Sequence, residues 1–352
     1  MVTSLSKVIE TNSEKCVNCH RCISVCPSKL CNDGSGDYVK VNQELCIGCG
    51  ACISACHHGA RKGLDDSEKF FECLKNGEKI IAIVAPAAAA NFKGKDLELN
   101  TWLKSIGVKA VFDVSFGAEL TTKSYVEYLK TKPKLVISQP CPALVSYIEL
   151  YQPDLLPYLS PADSPMAHTF AFIKNFYPEY KDYKMASISP CFGKRREFDE
   201  NGLGDFNVCM SSITNYLEEN HIDLASYKKT KYDNPLAERA VLYSTPGGLL
   251  RTAERFVPGI SSKARKIEGQ PEMTKYFSEL SESLANGENP RFVLIDCLNC
   301  QKGCNCGAGT VNQNVPLDKL EGYIEDRMKD RKKQLHTESK SKIKKLEKTI
   351  DK

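Results

Sequence analysis

Tryptophan is nearly absent from this sequence, with Trp102 alone among 352 residues, and histidine and methionine are scarce at six each. The apolar residues also fail to form any long run. The longest, IIAIVAPAAAANF from Ile80, covers 13 residues, short of the roughly 20 that cross a bilayer, so no membrane span is expected. The opening MVTSLSKVIETNSEK has no apolar stretch after its start. We therefore expect no secretory leader, no oxidised disulfide scaffold, and a cytoplasmic location. Nor does one sign of charge dominate the body. Residues 326–352 carry 11 Lys or Arg against 5 Asp or Glu, a surplus of 6, so the formal +4 of the whole leaves −2 for everything before them. A nearly neutral body argues against a nucleic-acid binder.

Cysteine, by contrast, is abundant, at 17 residues. In a reducing compartment such thiols read as metal ligands. CVNCHRCISVCP supplies Cys16, Cys19, Cys22 and Cys26, and CIGCGACISACHHGA supplies Cys46, Cys49, Cys52 and Cys56. Each run is C-x2-C-x2-C-x3-C, the bacterial ferredoxin spacing, in which three close thiolates wrap one 4Fe-4S cluster and the fourth reaches the other. We expect that fourth cysteine at the start of a short helix. Cys16, Cys19, Cys22 and Cys56 are thus assigned to one cluster, and Cys46, Cys49, Cys52 and Cys26 to a second. Paired C-x2-C motifs also hold zinc in four-sulfur sites, but the duplicated eight-cysteine run favours iron–sulfur clusters. Pro27 closes the first run as in bacterial ferredoxins, whereas His57 stands there in the second; with eight thiolates supplied, His57 and His58 read as loop residues. Cys31 and Cys73 fall outside the spacing and read as ordinary small side chains.

From about residue 78 the texture changes. KIIAIVAP, AVFDVSF, KLVIS, KMASISP, AVLYS and RFVLIDC read as strands separated by helical stretches, the alternation of a largely parallel α/β sheet. Three of them run into cysteines: KLVISQPCP into Cys141, KMASISPCFGK into Cys191, and RFVLIDCLNCQKGCNCGAGT into Cys297, Cys300, Cys304 and Cys306. Ligands bind at the carboxyl ends of strands in such folds, so three strand ends delivering thiolates suggest one shared cofactor.

These loops resemble the three signature loops of the iron-only (FeFe) hydrogenase family, and the ferredoxin run ahead of them has that family's arrangement. VAPAAAANF, VFDVSFGAELT, YLSPADSPM and STPGGLLRTAERF are similar to further segments of its catalytic domain, so the likeness spans roughly residues 12–315. It implies a two-lobed parallel-sheet α/β catalytic-type domain over 78–315, an α+β ferredoxin-like domain over 10–66, and a helical tail over 316–352. It also implies that Cys141, Cys191, Cys300 and Cys304 hold a third 4Fe-4S cluster, with Cys304 bridging to a two-iron subsite where one is installed. Lys194 matches the lysine that bonds a diatomic ligand of that subsite, and Glu197 a nearby glutamate; taken as residues alone, KRRE reads as a solvated charge run.

The departures point to sensory or low-activity members. In hydrogen-producing members a cysteine that carries the proton precedes the first ligand of the third cluster. Here that residue is Pro140, which has neither a titratable group nor a backbone N–H. Ser189 and Leu298 replace methionines, and Cys306-Gly307-Ala308-Gly309-Thr310 replaces a glycine string. Cys297 and Cys306 are surplus to the four ligands, and Cys209 reads as core. The expected function is electron transfer through 4Fe-4S clusters tied to hydrogen or redox sensing, with low hydrogen turnover. A working ferredoxin-dependent hydrogenase and a non-catalytic cluster carrier are the alternatives. The implied partners are a redox protein or ferredoxin and dihydrogen. Leu320, Ile324, Met328, Leu335, Ile343, Leu346 and Ile350 stand near heptad spacing in the tail, which suggests a helix that is either solvated or a coiled coil engaging a signalling partner.

Overall fold

The computed structural model describes residues 5–350, and their side chains as far as residue 338. The N-terminal part is built on two antiparallel ribbons. The strand β1 (Ile9–Thr11) is followed by β2 (Asn32–Asp33), β3 (Lys40–Val41) and β4 (Arg61–Gly63); β1 pairs with β4 and β2 with β3. Between them sit two four-residue helices, Arg21–Ser24 and Ala51–Ser54. The third cysteine of each run, Cys22 or Cys52, lies inside its helix. The fourth, Cys26 or Cys56, lies just past the helix end. This corrects the expectation that it opens a helix: x3 spacing carries the chain through one turn before the cysteine that crosses over.

The helix Ser67–Lys75 then leads into the larger part, and its Phe70 is buried in that part's core. Seven further strands follow: β5 (Ile80–Val84), β6 (Val111–Asp113), β7 (Val136–Ile137), β8 (Lys184–Ser189), β9 (Phe206–Cys209), β10 (Ala264–Glu268) and β11 (Leu294–Leu298). They form two parallel sheets, β6-β5-β8-β9 and β10-β11-β7. β5 is buried along its whole length, as strands covered by helices on both faces are. Around it pack Trp102, Phe112, Phe170 and Phe198. The single tryptophan is thus a core residue.

One expected strand is overturned, and the two alternatives left open for the tail are narrowed. AVLYS forms a 3-10 turn, Ala240–Ser244, rather than a strand; it is apolar because every residue in it is buried, and a short run buried all round has no periodicity to tell strand from helix. The tail helix, Leu317–Ile350, is not solvated over its first turns. Leu320, Ile324 and Met328 pack against Ala89, Ala90, Val241 and Leu242, a stripe at every fourth residue that stabilises docking by about 1.5–3 kcal/mol per side chain. Arg327 and Arg331 follow on the same face and are buried against Asp113. Leu335 is half-buried; the side chains of Ile343, Leu346 and Ile350 lie outside the described residues. No helix of the described residues is long and apolar enough to cross a membrane.

Candidate iron–sulfur sites

The two cysteine runs wrap two separate cavities. The first is lined by Cys16, Cys19, Cys22 and Cys56. The second is lined by Cys26, Cys46, Cys49 and Cys52. Each gathers three sulfurs from one run and one from the other. Among the described residues no three His, Cys, Asp or Glu side chains converge closely enough to hold a single metal ion. Sulfurs that ring a cavity, three from one run and one from the other, without converging on one point suit a group several atoms across rather than tetrahedral zinc.

The local backbone explains how the loops wrap. Left-handed residues recur at equal offsets in the two runs: Asn18 and His20 in the first, Gly48 and Gly50 in the second. In the first pair His20 is exposed and Asn18 donates to the Gly34 and Gly36 carbonyls at 3.0 and 2.9 Å, so both side chains are accommodated. The second faces the larger domain, and a Cβ on Gly50 would stand 2.2 Å from Ala308 Cβ. Donors then converge on the sulfurs. Gly48 N–H donates to Cys46 Sγ at 3.4 Å. Burial raises the Cys56 thiol, but N–H groups of Arg61, His58 and Ala60 outweigh it and hold the thiol below its ordinary value. Arg61, only 5% exposed, donates to Cys22 Sγ at 3.1 Å and to Asn32 Oδ1 at 2.7 Å. Its Nη1 has no partner in the protein, and the side chain lines the first cavity. A buried orphan donor of this kind fits an anionic cluster. His58 also borders that cavity, while Cys31, set aside from the sequence, borders the second. Cys73 touches Lys184 Nζ, away from all three sites.

The third group of cysteines stands where the two parallel sheets meet. Cys141 follows β7 and caps the helix Pro142–Tyr151; Cys191 follows β8; Cys300 and Cys304 follow β11. Burial pushes the Cys191 thiol up to about 11, with the Cys141 sulfur adding to it and the Lys194 ammonium opposing. Burial likewise raises Cys300, followed by the influence of Cys304, Cys141, Cys191 and Cys49. Cys304 is raised by burial and then by Cys141 and Cys191. The four sulfurs are thus mutual neighbours in a site that resists their ionising alone, a donor set that fits iron supplying the compensating charge. Cys49 packs against the apolar cluster that contains Cys141, so the second cavity lies beside this site. Cys19, in contrast, is exposed on the first.

Around these cysteines the helix Lys194–Asn201 spreads its charges in several directions. Lys194, 6% exposed, donates to the Pro140 carbonyl at 3.2 Å and pairs with Glu197, to which Ser164 Oγ also donates. Arg195 pairs with Asp66 at 3.1 Å. Arg196 donates to the Ser6 carbonyl at 3.1 Å and to the Cys46 carbonyl. KRRE is therefore no solvated run; each charge finds a fixed partner. Ser164 was not singled out from the sequence. Its signal is the Ser-Pro pair that caps the helix Pro165–Phe176.

The departing residues have structural tasks. Ser189 Oγ donates to Asn207 Oδ1 at 2.6 Å and accepts from Cys191 N–H at 3.3 Å, anchoring the second loop. Leu298 is buried at the end of β11. Gly309 N–H donates to the Pro190 carbonyl at 2.9 Å, and a Cβ on Gly307 would meet that oxygen at 2.3 Å, so the third loop needs glycine where it lies on the second. Cys297 bonds to Ser138 between β7 and β11, and Cys306 donates to the Asn312 carbonyl at 3.3 Å. Cys209 is fully buried.

Two sulfur-lined ferredoxin cavities leading to a third cysteine site between two parallel sheets define an iron–sulfur protein of hydrogenase type. The family described as iron only hydrogenase large subunit, C-terminal domain, matches residues 78–308, and a 4Fe-4S dicluster domain matches residues 15–61. The chain belongs to the iron-only hydrogenase family. It is 24% identical to NADP-reducing hydrogenase subunit HndD of Solidesulfovibrio fructosivorans over 84% of this chain and 55% of that one. To iron hydrogenase 1 of Clostridium pasteurianum it is 23% identical, over 67% and 50%. Protein NAR1 of Arabidopsis thaliana matches at 27% over 37% and 33%. The chain thus spans about half the length of the hydrogenase relatives. Among solved structures, a variant of [FeFe]-hydrogenase HydA1 from Chlamydomonas reinhardtii shares the fold, with a TM-score of 0.59 and 20% identity over 74% of this chain and 88% of that one.

Proposed function

We propose that this chain is a three-cluster electron-transfer protein in which hydrogen or redox state is read at the third site, with low hydrogen turnover. Cys16, Cys19, Cys22 and Cys56 would hold the first 4Fe-4S cluster, Cys46, Cys49, Cys52 and Cys26 the second, and Cys141, Cys191, Cys300 and Cys304 the third. The observation that supports the reading is that Cys49 of the second cavity packs against the apolar cluster that contains Cys141, so the three sites would stand in series from the exposed Cys19 inward. A redox protein such as a ferredoxin would then dock at the first cavity. The same reading divides the chain into 10–66, 78–315 and 316–352, the last acting as a brace over its first turns.

A two-iron subsite, where bound through Cys304, supplies the dihydrogen chemistry. The protein orients it and sets its electrostatics. Lys194, held by Glu197 and the Pro140 carbonyl, is the cation placed to do so. Pro140 offers no proton at the position next to Cys141, so a fast proton path through that residue is closed. Infrared spectra of the protein matured with the family's assembly enzymes test this. Bands of iron-bound carbon monoxide and cyanide with slow hydrogen evolution are expected. Fast evolution would reject the sensory reading. A second reading, a cluster carrier without the subsite, is favoured by the likeness to NAR1, a name that in Yarrowia lipolytica is given as a cytosolic Fe-S cluster assembly factor, 30% identical over 38% of this chain. Absence of those bands after maturation would select it.

A further inference from the structure

The second ferredoxin cavity is lined by five cysteines, not four. Cys31 shares its wall with Cys26, Cys46, Cys49 and Cys52, is 2% exposed, and packs in one apolar cluster with Cys46, Cys52 and Cys26. Its thiol donates to the Asn42 carbonyl at 3.6 Å. The internal repeat shows that this placement is built. Cys31 stands five residues after Cys26, and Arg61 stands five residues after Cys56. Each side chain turns into the cavity that its own fourth cysteine helps to line. In the first cavity that position carries a guanidinium on Cys22 Sγ at 3.1 Å. In the second it carries a thiol that shares the cavity wall with four ligand cysteines. The backbone under Cys31 is fixed, since its carbonyl accepts from Asn42 N–H at 2.7 Å and the next residue begins β2. A side-chain rotation away from the Asn42 carbonyl is all that this lining thiol needs to bond to a cluster in the cavity.

We propose that Cys31 is a reserve ligand of the second cluster, placed to replace Cys46 or Cys26. This rests on the assignment of a 4Fe-4S cluster to that cavity. In the exchange one iron–sulfur bond to Cys46 or Cys26 breaks and one to Cys31 forms. The Cys31 proton passes to the departing sulfur. No electron is transferred and no oxidant is needed. The first cavity has no such reserve, because Arg61 fills the equivalent position. The two clusters therefore differ in their tolerance of ligand loss: the inner one, beside Cys300, survives where the outer one does not.

The test is iron content and the electron paramagnetic resonance of the reduced, full-length protein after anaerobic reconstitution. Cys46→Ala and Cys26→Ala are each made with and without Cys31→Ala, and Cys46→Ser is run in parallel to separate loss of a ligand from loss of fold. At least one single variant should keep the wild-type iron count, and its partner lacking Cys31 should lose about four irons. Cys16→Ala, in the cavity without a reserve thiol, should lose about four irons on its own. Loss of the second cluster from all the single variants while the other clusters remain would overturn the proposal, as would its retention in the doubles. A wild type without a second cluster would instead overturn the assignment beneath it, before any variant is made.

Discussion

Replacing Arg327 by methionine should unfasten the tail helix from the body. Arg327 Nη2 lies 2.7 Å from Asp113 Oδ2, its Nε lies 3.2 Å from Asp96 Oδ2, and its guanidinium stands 5.5 Å from the Tyr232 ring. All three partners are buried. Removing one member of a buried ion pair typically costs about 3–5 kcal/mol, because the other charge is left stranded. Arg331 remains 3.7 Å from Asp113, which places the expected loss near the lower figure, about 3 kcal/mol. At about 2–4 °C per kcal/mol for a domain of this size, Tm should fall by about 6–12 °C. The sign of the pH dependence follows from Asp113. Burial raises its carboxyl, but Arg327 and Arg331 outweigh burial and hold it below the ordinary carboxylate value. In the wild type its contribution is complete above that ordinary value and is lost only as pH falls through the lower folded one. In Arg327→Met the stranded carboxyl instead takes up a proton as pH falls, which relieves the cost. The gap between the two proteins should therefore narrow from pH 7 toward pH 4. Calorimetry of the reconstituted protein measures this, with Asp113→Asn added to Arg327→Met as the compensating change. A fall below about 2 °C at pH 7, or a double variant no more stable than the single one, would refute the reasoning.

Three further outcomes are expected. The reconstituted chain should bind about twelve irons as three clusters, and Cys141→Ser should lower the count to about eight; an unchanged count would remove Cys141 from the third site. Pro140→Cys, compared with the wild type at equal subsite occupancy checked by infrared, should raise hydrogen evolution by up to the 10²–10⁴-fold typical of a general acid–base group. A variant no faster than the wild type would leave the proton path limited elsewhere. Burial raises the Asp296 carboxyl to about 7, so ionising it in the folded state costs about 4 kcal/mol. The folded state thus holds this proton more tightly than the unfolded chain, and its advantage declines from about pH 4 to pH 7. Asp296→Asn, which keeps an acceptor for Leu250 N–H, should raise Tm at pH 8 and flatten that decline; an unchanged melting profile would count against a buried neutral acid there.

Much of the site was legible because cysteine spacing is a local quantity. The runs from Cys16 and Cys46 carry their own geometry, and five of the six apolar segments named from the sequence contain the strands β5, β6, β7, β8 and β11. What was missed depends on distant parts of the chain. β9 in FNVC is four residues long and β10 in ARKIE carries three charges, so neither shows a strand's apolar signature until its neighbours cover it. The heptad-like spacing of Leu320, Ile324 and Met328 was visible, but not the alanine surface that receives it. Cys31 lies outside the ferredoxin spacing; only the fold brings it into the wall of the second cavity. Lys194 and Glu197 were recognised through the loop resemblance, whereas Ser164, thirty residues earlier in the sequence, becomes their partner through tertiary packing alone.

The helix Lys194–Asn201 bears on how freely this architecture can be recombined. Its first four residues face the third site, Asp66, the Cys46 loop and the third site again. One residue inserted at its start would rotate the remaining side chains by about 100° and hand each partner the wrong one. The ferredoxin segment is therefore not a cartridge that can be exchanged for another two-cluster unit by matching the ends. A graft would have to bring its own counterpart to the carbonyl of Cys46 and the carboxylate of Asp66, or replace Arg195 and Arg196 along with it, so the two parts are expected to have diverged as one.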